Sequence, residues 1–271
     1  MPELPEVETT RRGIEPHILK HQIKAVQVRE SRLRWPVTPV LANRLKGEVV
    51  SSVSRRGKYL LLETARGTLV IHLGMSGSLR LVTPDATINK HDHVDIVFSH
   101  GPILRYTDPR RFGCVLWVED NVFNHPLLRN LGPEPLSAEF NAEYLKARAR
   151  GRKSAVKTFL MDSRTVVGVG NIYANEALFA AGIRPQGAAG RLAQGRFDTL
   201  VAAVKHVLQE ALMVGGTTLR DFTDSEGQPG YFSQSLRVYG RGGLACLSCS
   251  EPLREIRIGQ RSTVFCRACQ R

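Results

Sequence analysis

No stretch of these 271 residues approaches the roughly 18 uninterrupted apolar positions that a membrane helix needs, which excludes a helical membrane protein. The opening Met1-Pro2-Glu3-Leu4-Pro5-Glu6 has neither the basic lead nor the apolar run of a secretory signal, so the chain is expected to be soluble and cytoplasmic. Internal repeats and low-complexity segments are absent, and 42% hydrophobic with 23% charged residues is a globular composition. Cysteine is almost missing from the first 245 residues. Cys114 stands alone there, in the apolar run Gly113-Cys114-Val115-Leu116-Trp117, and reads as an inert core residue. Lysine is missing from the tail, where Arg237, Arg241, Arg254, Arg257, Arg261, Arg267 and Arg271 carry the positive charge.

What is present is positive charge. The formal net charge is +13 and the pI about 10.0, a field that attracts polyanions. Its placement says more than its size: Lys146, Arg148, Arg150, Arg152, Lys153 and Lys157 crowd one stretch, and the arginine-only tail offers planar forks suited to phosphate and base edges.

The length allows two domains and a small appendage. Residues Gln22 to Glu119 read mainly as strands. Tyr59-Leu60-Leu61-Leu62, Thr68-Leu69-Val70-Ile71 and His93-Val94-Asp95-Ile96-Val97-Phe98 recur between turn signals, and Ser99-His100-Gly101-Pro102 breaks the chain before Ile103. The spacing predicts an antiparallel sandwich or barrel. Ahead of it, Pro5 starts a short helix ending at Gly13, with Glu6 and Thr10 on one face. After Pro133-Glu134-Pro135 the period changes to helical. Ser154 caps a helix carrying Val156, Phe159 and Leu160; Asn171 opens another that stops at Gly182. A third carries Phe197, Leu200, Val201, Val204, Val207, Leu208 and Ala211 and ends at Gly215-Gly216.

The tail holds Cys246-x2-Cys249 and Cys266-x2-Cys269, two knuckles separated by enough chain for a hairpin. Four thiolates so spaced suit one tetrahedral zinc, closed and therefore structural. Two local disulfides are disfavoured in a reducing cytoplasm, and a rubredoxin-like iron site by the arginine-rich surroundings.

The amino terminus bears on chemistry. Removal of Met1 would give Pro2 a secondary α-amine with a pKa of about 8, well below the roughly 10.4 of lysine, and so nucleophilic at neutral pH. Such an amine attacking a sugar C1′ gives a permanently cationic iminium, an electron sink for β-elimination. Glu3, beside it, is placed to move protons. Glu6 suits either catalysis or the dipole of the helix's first turn.

With these residues assembled, the chain resembles the formamidopyrimidine-DNA glycosylases from Pro2 to the C-terminus. The resemblance is carried by Pro2-Glu3-Leu4-Pro5-Glu6-Val7-Glu8, Arg56-Gly57-Lys58-Tyr59, His72-Leu73-Gly74-Met75-Ser76-Gly77-Ser78-Leu79 and Lys90-His91-Asp92-His93-Val94-Asp95. It continues in Tyr106-Thr107-Asp108-Pro109-Arg110-Arg111-Phe112-Gly113, Gly168-Val169-Gly170-Asn171-Ile172-Tyr173-Ala174 and the cysteine ribbon. It implies an N-terminal catalytic β-sandwich (1–132), a helix-two-turn-helix domain (133–236) and a zinc ribbon (237–271), with DNA in the cleft between domains. It also implies removal of oxidised purines, then strand cleavage by β,δ-elimination. Pro2 is then the Schiff-base nucleophile, Glu3 the proton donor in base removal, Lys58 a proton donor in β-elimination and Arg261 the δ-elimination donor, or equally a phosphate contact. Cys246, Cys249, Cys266 and Cys269 hold one zinc.

A glycosylase extrudes the damaged nucleotide and must fill the hole. Met75, Arg110 and Phe112 match the family's inserted residues, and their glycine-flanked loops favour exposed tips over core positions. Asn171, at a helix start, matches a phosphate contact. His91, Arg152, Lys157 and Tyr239 are further candidates for contacts to phosphate. The segment from Thr217 to Gly227 resembles the loop that closes over the extruded base; many relatives carry lysine where Arg220 stands. The implied partner is double-stranded DNA with oxidised purines or abasic sites, bound by a monomer associated with the bacterial nucleoid. An endonuclease VIII-type relative would share Pro2, Glu3 and the ribbon, but the Pro2-Glu3-Leu4-Pro5 start and the Arg110-Arg111-Phe112 loop favour the purine enzyme. A non-catalytic zinc-ribbon DNA binder would leave Pro2, Glu3 and Lys58 unexplained.

Overall fold

The structure is a computed structural model and describes residues 1–216 and 235–271. The expected base-covering loop, Thr217 to Gly227 with Arg220, lies outside the described residues. Those described form two compact units: Met1–Arg129 with 214–216, and Asn130–Met213 with 235–271.

The first unit opens with helix α1 (Leu4–Ile18). Pro5 lies in its first turn, where the missing N–H costs nothing, and the Glu6 carboxylate accepts from the Glu3 N–H at 2.7 Å, tying down the helix start. Contrary to the sequence expectation, the helix does not stop at Gly13 but runs five residues further. Ile14 and Ile18 are fully buried in the core, and burial of two such side chains, worth roughly 1.5–3 kcal/mol each, outweighs the helix penalty of about 1 kcal/mol for glycine. Thr10 and Glu6 share the buried face, as the spacing predicts.

Two antiparallel four-stranded sheets follow. One has the order β1 (Ile23–Val28), β6 (Asp92–Phe98), β7 (Ile103–Thr107), β5 (Ser78–Val82). The other has β2 (Ser52–Arg56), β3 (Tyr59–Thr64), β4 (Gly67–His72), β8 (Cys114–Val118). A short helix α2 (Leu41–Leu45) precedes β2. One apolar cluster joins Val26, Leu79, Val94, Ile96 and Leu104 of the first sheet, Leu60, Leu62, Leu69, Ile71 and Val115 of the second, and Val7, Ile14 and Ile18 of α1. This is the sandwich core. Across the first sheet Asp95 lies between Arg105 and Arg29, its oxygens accepting at 2.9 and 2.6 Å.

The second unit is helical. The helices are α3 (Ala142–Ala149), α4 (Val156–Met161), α5 (Asn171–Ala180) and α6 (Gln194–Met213). α6 buries the periodic face read from the sequence. α5 ends as expected at Gly182, whose φ of +64° lets Ile183 N–H reach the Leu178 carbonyl at 2.9 Å. Ser154 is not the cap of α4. The helix starts one residue later, with Ala155 at the cap position, and the Ser154 carbonyl accepts instead from Ala189 N–H. Strands β9 (Arg254–Ile258) and β10 (Arg261–Phe265) form the tail hairpin.

Ile14→Ala is expected to destabilise the first unit by about 2–5 kcal/mol, measured by urea unfolding. A loss within about 0.5 kcal/mol, the scale of a surface change, would show that the helix has no packing role beyond Gly13.

Candidate active site and zinc ribbon

Pro2 and Glu3 are buried at the start of α1, Glu3 being 2% exposed. The chain end is therefore held, not frayed. Gly216, with φ +82°, packs against the same place, where an added side-chain carbon would strike the Glu6 carboxylate at 2.9 Å.

Lys58 sits in the two-residue turn between β2 and β3. The pair Arg56 and Tyr59 closes the hairpin, and Gly57 takes φ +58° at the first central position, as such turns require. This turn is tied to α1. Glu8 accepts from Arg55 Nε at 3.1 Å, and Arg55 Nη1 donates to the Gly57 carbonyl at 2.8 Å. Burial works to raise the Glu8 pKa, but Arg11, Arg12 and Arg55 outweigh it and hold the carboxylate below its usual value. Neither Glu8 nor Arg55 was singled out by sequence, although Glu8 lies in the first family motif.

His72, at the end of β4, is a third residue not singled out by sequence. Its ring lies 4.7 Å from that of Tyr59, centroid to centroid, and its Nδ1 accepts from Gly74 N–H at 2.9 Å. Desolvation first, then the charges of Lys58 and Arg34, lower its pKa to about 4. The neutral imidazole fixes the entrance to the Met75 loop.

Met75 is half-buried, whereas Arg110 and Phe112 are exposed, Phe112 by 43%. The Arg110 guanidinium stacks 4.8 Å from the Phe112 ring centre. His91 is half-buried beside His93. Cys114 is buried as expected, and desolvation pushes its thiol to about 12.

In the second unit Asn171 heads α5 and is half-buried, and Arg152 is exposed. Arg261 is exposed directly after the hairpin turn Gly259-Gln260, where both residues have positive φ. Lys157 departs from the expectation of a solvent-facing phosphate contact. It is 1% exposed, and its ammonium donates to the Ser262 carbonyl and Thr263 Oγ1, each at 2.7 Å. An unpaired ammonium is costly to bury, so the hairpin acceptors define its position: it supports the strand that carries Arg261. Tyr239 is half-buried. Its N–H and those of Arg237 and Val238 all donate to Glu176 at 2.7–3.0 Å. Burial raises the Glu176 pKa despite these donors.

The four tail cysteines converge with all Sγ atoms within 4.8 Å of one another. Cys249 and Cys266 are 3.4 Å apart and Cys246 and Cys269 3.9 Å; a tetrahedron with Zn–S of about 2.3 Å has edges of roughly 3.8 Å. Backbone N–H groups of Ser248 and Cys269 point at Cys246 and Cys266 sulfurs. The donor set fits one structural zinc, closed to substrate. Cys246 and Cys266 also share an apolar cluster with Phe179, Val238, Leu253 and Val264, which joins the ribbon to α5.

A β-sandwich with a buried amino-terminal segment shares one chain with a helical unit whose four convergent cysteines fit a metal, and the family matches assign this combination to DNA glycosylases. Residues 1–115 match the formamidopyrimidine-DNA glycosylase N-terminal domain, 131–223 the H2TH domain of the same enzymes, and 243–271 the zinc finger found in FPG and IleRS. The formamidopyrimidine-DNA glycosylase of Idiomarina loihiensis is 58% identical over 271 residues, covering all of both chains. An FPG variant from Lactococcus lactis, solved with DNA containing Fapy-dG, is 33% identical with a TM-score of 0.93 over all of both chains. The Lactococcus lactis protein with abasic-site DNA is 33% identical with a TM-score of 0.91 over 99% of each. The chain belongs to the formamidopyrimidine-DNA glycosylase family, base excision repair enzymes with glycosylase and lyase activities. Among the described residues, no helix is long and apolar enough to cross a membrane.

Two outcomes follow from the site. His72 is expected to stay neutral down to about pH 4 in an NMR titration of its ring. An unfolded histidine titrates near 6.5, so between these values the unfolded chain binds more protons, and stability falls as pH drops through that window. His72→Asn, which keeps an acceptor for Gly74 N–H, should lose less stability there than the wild type; a ring midpoint near 6.5 would contradict the assignment. For the ribbon, elemental analysis should find one zinc per chain, and Cys249→Ser should lower it well below one. Iron in place of zinc would overturn that reading.

Proposed function

We propose that the chain removes 8-oxoguanine and formamidopyrimidines from double-stranded DNA and then cleaves the strand by β,δ-elimination, with Pro2 as nucleophile. The observation that carries this reading is the buried start of α1: Pro2 and Glu3 are both buried, and the Glu6 carboxylate accepts from the Glu3 N–H that follows Pro2. A preorganised terminus suits nucleophilic catalysis, which loses rate steeply when the attacking atom is misplaced. The Lactococcus lactis relatives bound to Fapy-dG and abasic-site DNA bear the base and the product that this reaction sequence requires.

After Met1 removal, the Pro2 amine attacks C1′ of the damaged nucleotide. The N–C1′ bond forms as the C1′ bond to the base breaks, and Glu3 supplies a proton during base removal. Opening of the sugar leaves an iminium at Pro2. Removal of the C2′ proton sends the C–H bonding pair into that electron sink, and the resulting enamine expels the 3′ phosphate with the C3′–O3′ bonding pair, with Lys58 as a proton donor. A second elimination breaks C5′–O5′, with Arg261 as its donor or a phosphate contact. Met75, Arg110 and Phe112 fill the space the extruded nucleotide leaves. His91, Arg152, Asn171 and Tyr239 contact phosphates, and Lys157 acts from inside by supporting the hairpin. Cys246, Cys249, Cys266 and Cys269 would hold the zinc, which keeps that hairpin shaped. The organisation proposed is a catalytic domain at 1–132, a helix-two-turn-helix domain at 133–236 and a ribbon at 237–271, acting as a monomer in the cytoplasm at the nucleoid.

Borohydride is expected to trap a covalent complex between the protein and DNA containing 8-oxoguanine, because an iminium at Pro2 is reducible. Intact mass should show the trapped protein to lack Met1, and protein that retains it should not be trapped. Trapping that persists with the amine blocked would remove Pro2 from its role.

A further inference from the structure

Between the Met75 loop and the Arg110–Phe112 loop lies a carboxylate that the proposed chemistry does not use. Asp108 is completely buried. Its Oδ1 accepts from Ser76 Oγ at 3.0 Å and from Arg110 N–H at 3.3 Å. Its Oδ2 accepts from Gly113 N–H at 2.9 Å and Tyr106 O–H at 3.2 Å. Ser76 Oγ also accepts from Arg110 N–H at 3.3 Å, so one donor from the second loop is shared between the carboxylate and the first loop. Burial, then the Asp108 charge, pushes the Tyr106 phenol well above its usual pKa, keeping it a donor.

The backbones close the same contact. A side-chain carbon on Gly74 would lie 2.5 Å from the Gly113 nitrogen and 2.6 Å from the Phe112 carbonyl carbon, and one on Gly113 would collide with Tyr106 Oη and the His72 carbonyl oxygen. The two loops therefore touch main chain to main chain at their glycines. Arg111, at the tip between Arg110 and Phe112, holds a left-handed φ of +57°; its N–H donates to the Asp108 carbonyl at 3.2 Å. A non-glycine residue keeps that conformation only where its surroundings over-determine it.

We propose that Asp108 is a positioning residue that locks the two loops into one preformed wedge, so that Met75, Arg110 and Phe112 enter the duplex as a single body. The proposal rests on the hole-filling role given above to those three residues. Two loose loops would lose conformational freedom as they entered the stack, adding to the unstacking cost; a wedge ordered beforehand has little left to lose. A carboxylate suits the task because it only accepts, and every group aimed at it here is a donor. Asparagine in its place would turn an amide N–H₂ toward either the Gly113 N–H or the Ser76 and Arg110 donors, and a backbone N–H cannot reverse its role.

The test uses the full-length, zinc-loaded protein. Single-turnover excision of 8-oxoguanine from duplex DNA, at saturating enzyme, is expected to fall at least about tenfold in Asp108→Asn, while cleavage at a preformed abasic site, where no base is extruded, falls by less than about threefold. Ser76→Ala keeps the carboxylate and loses one donor; it should show the same selective loss in smaller measure, and it serves if Asp108→Asn does not fold. In the free protein, hydrogen exchange at 73–77 and at 110–113 should speed up together in Asp108→Asn while β3 and β4 stay protected. Arg110→Ala with Phe112→Ala separates the two layers of the argument. Equal losses on both substrates in that double variant would overturn the wedge itself. A selective loss there, with an unchanged substrate ratio in both Asp108→Asn and Ser76→Ala or with only one loop losing protection, would overturn the lock and leave the wedge standing.

Discussion

Burial of the first turn of α1 is the constraint on which the first unit depends. Val7 anchors it in the sandwich core beside a fully buried Leu4, the Glu6 carboxylate holds the Glu3 N–H, and the Glu8–Arg55–Gly57 chain of contacts carries that fixed position to the Lys58 turn. A backbone end ordinarily frays because nothing offsets its entropy. Here a helix start and two arms of one ion-pair network offset it, so the position of the proposed nucleophile is set by the sheet instead of by the freedom of a terminus.

A common logic runs through the loops that leave the sandwich. Three of them are fixed at the base by a side chain bonded to main-chain atoms: the neutral His72 accepts from Gly74, Arg55 donates to Gly57, and Asp108 accepts from Gly113 and Arg110. Main-chain partners cannot change rotamer, so such contacts define a geometry more sharply than pairs of flexible side chains. The second unit repeats the device with Glu176, which gathers three successive N–H groups leading to Tyr239, and with Lys157, which holds the strand beside Arg261.

Much of this was legible in the sequence. The β-branched and aromatic runs in Gln22–Glu119 predict the strands, the periodic face of α6 and its Gly215-Gly216 stop emerge where expected, and the knuckle spacing predicts the convergence of the four cysteines. These signals are local, set by backbone period and short-range spacing. The exceptions are all tertiary. Gly13 reads as a stop, but the core that buries Ile14 and Ile18 is assembled from strands far along the chain. Lys157 reads as one more surface cation in a basic stretch, and nothing near it in sequence announces the hairpin oxygens about a hundred residues away that receive its charge. Asp108 sits inside a motif quoted for its neighbours. Its partners at Ser76 and Gly113 belong to different strand ends, so its importance appears only once β4 and β8 pair.

The apolar cluster under the ribbon has a thermodynamic consequence. Because Cys246 and Cys266 pack with Phe179 of α5, the same side chains serve as metal ligands and as core, and the free energy of metal binding is shared with the folding of the helices beneath. Linkage makes that sharing reciprocal. Free zinc in the surroundings becomes a determinant of how firmly the helical unit holds together, and any change that loosens α5 weakens the hold on the metal.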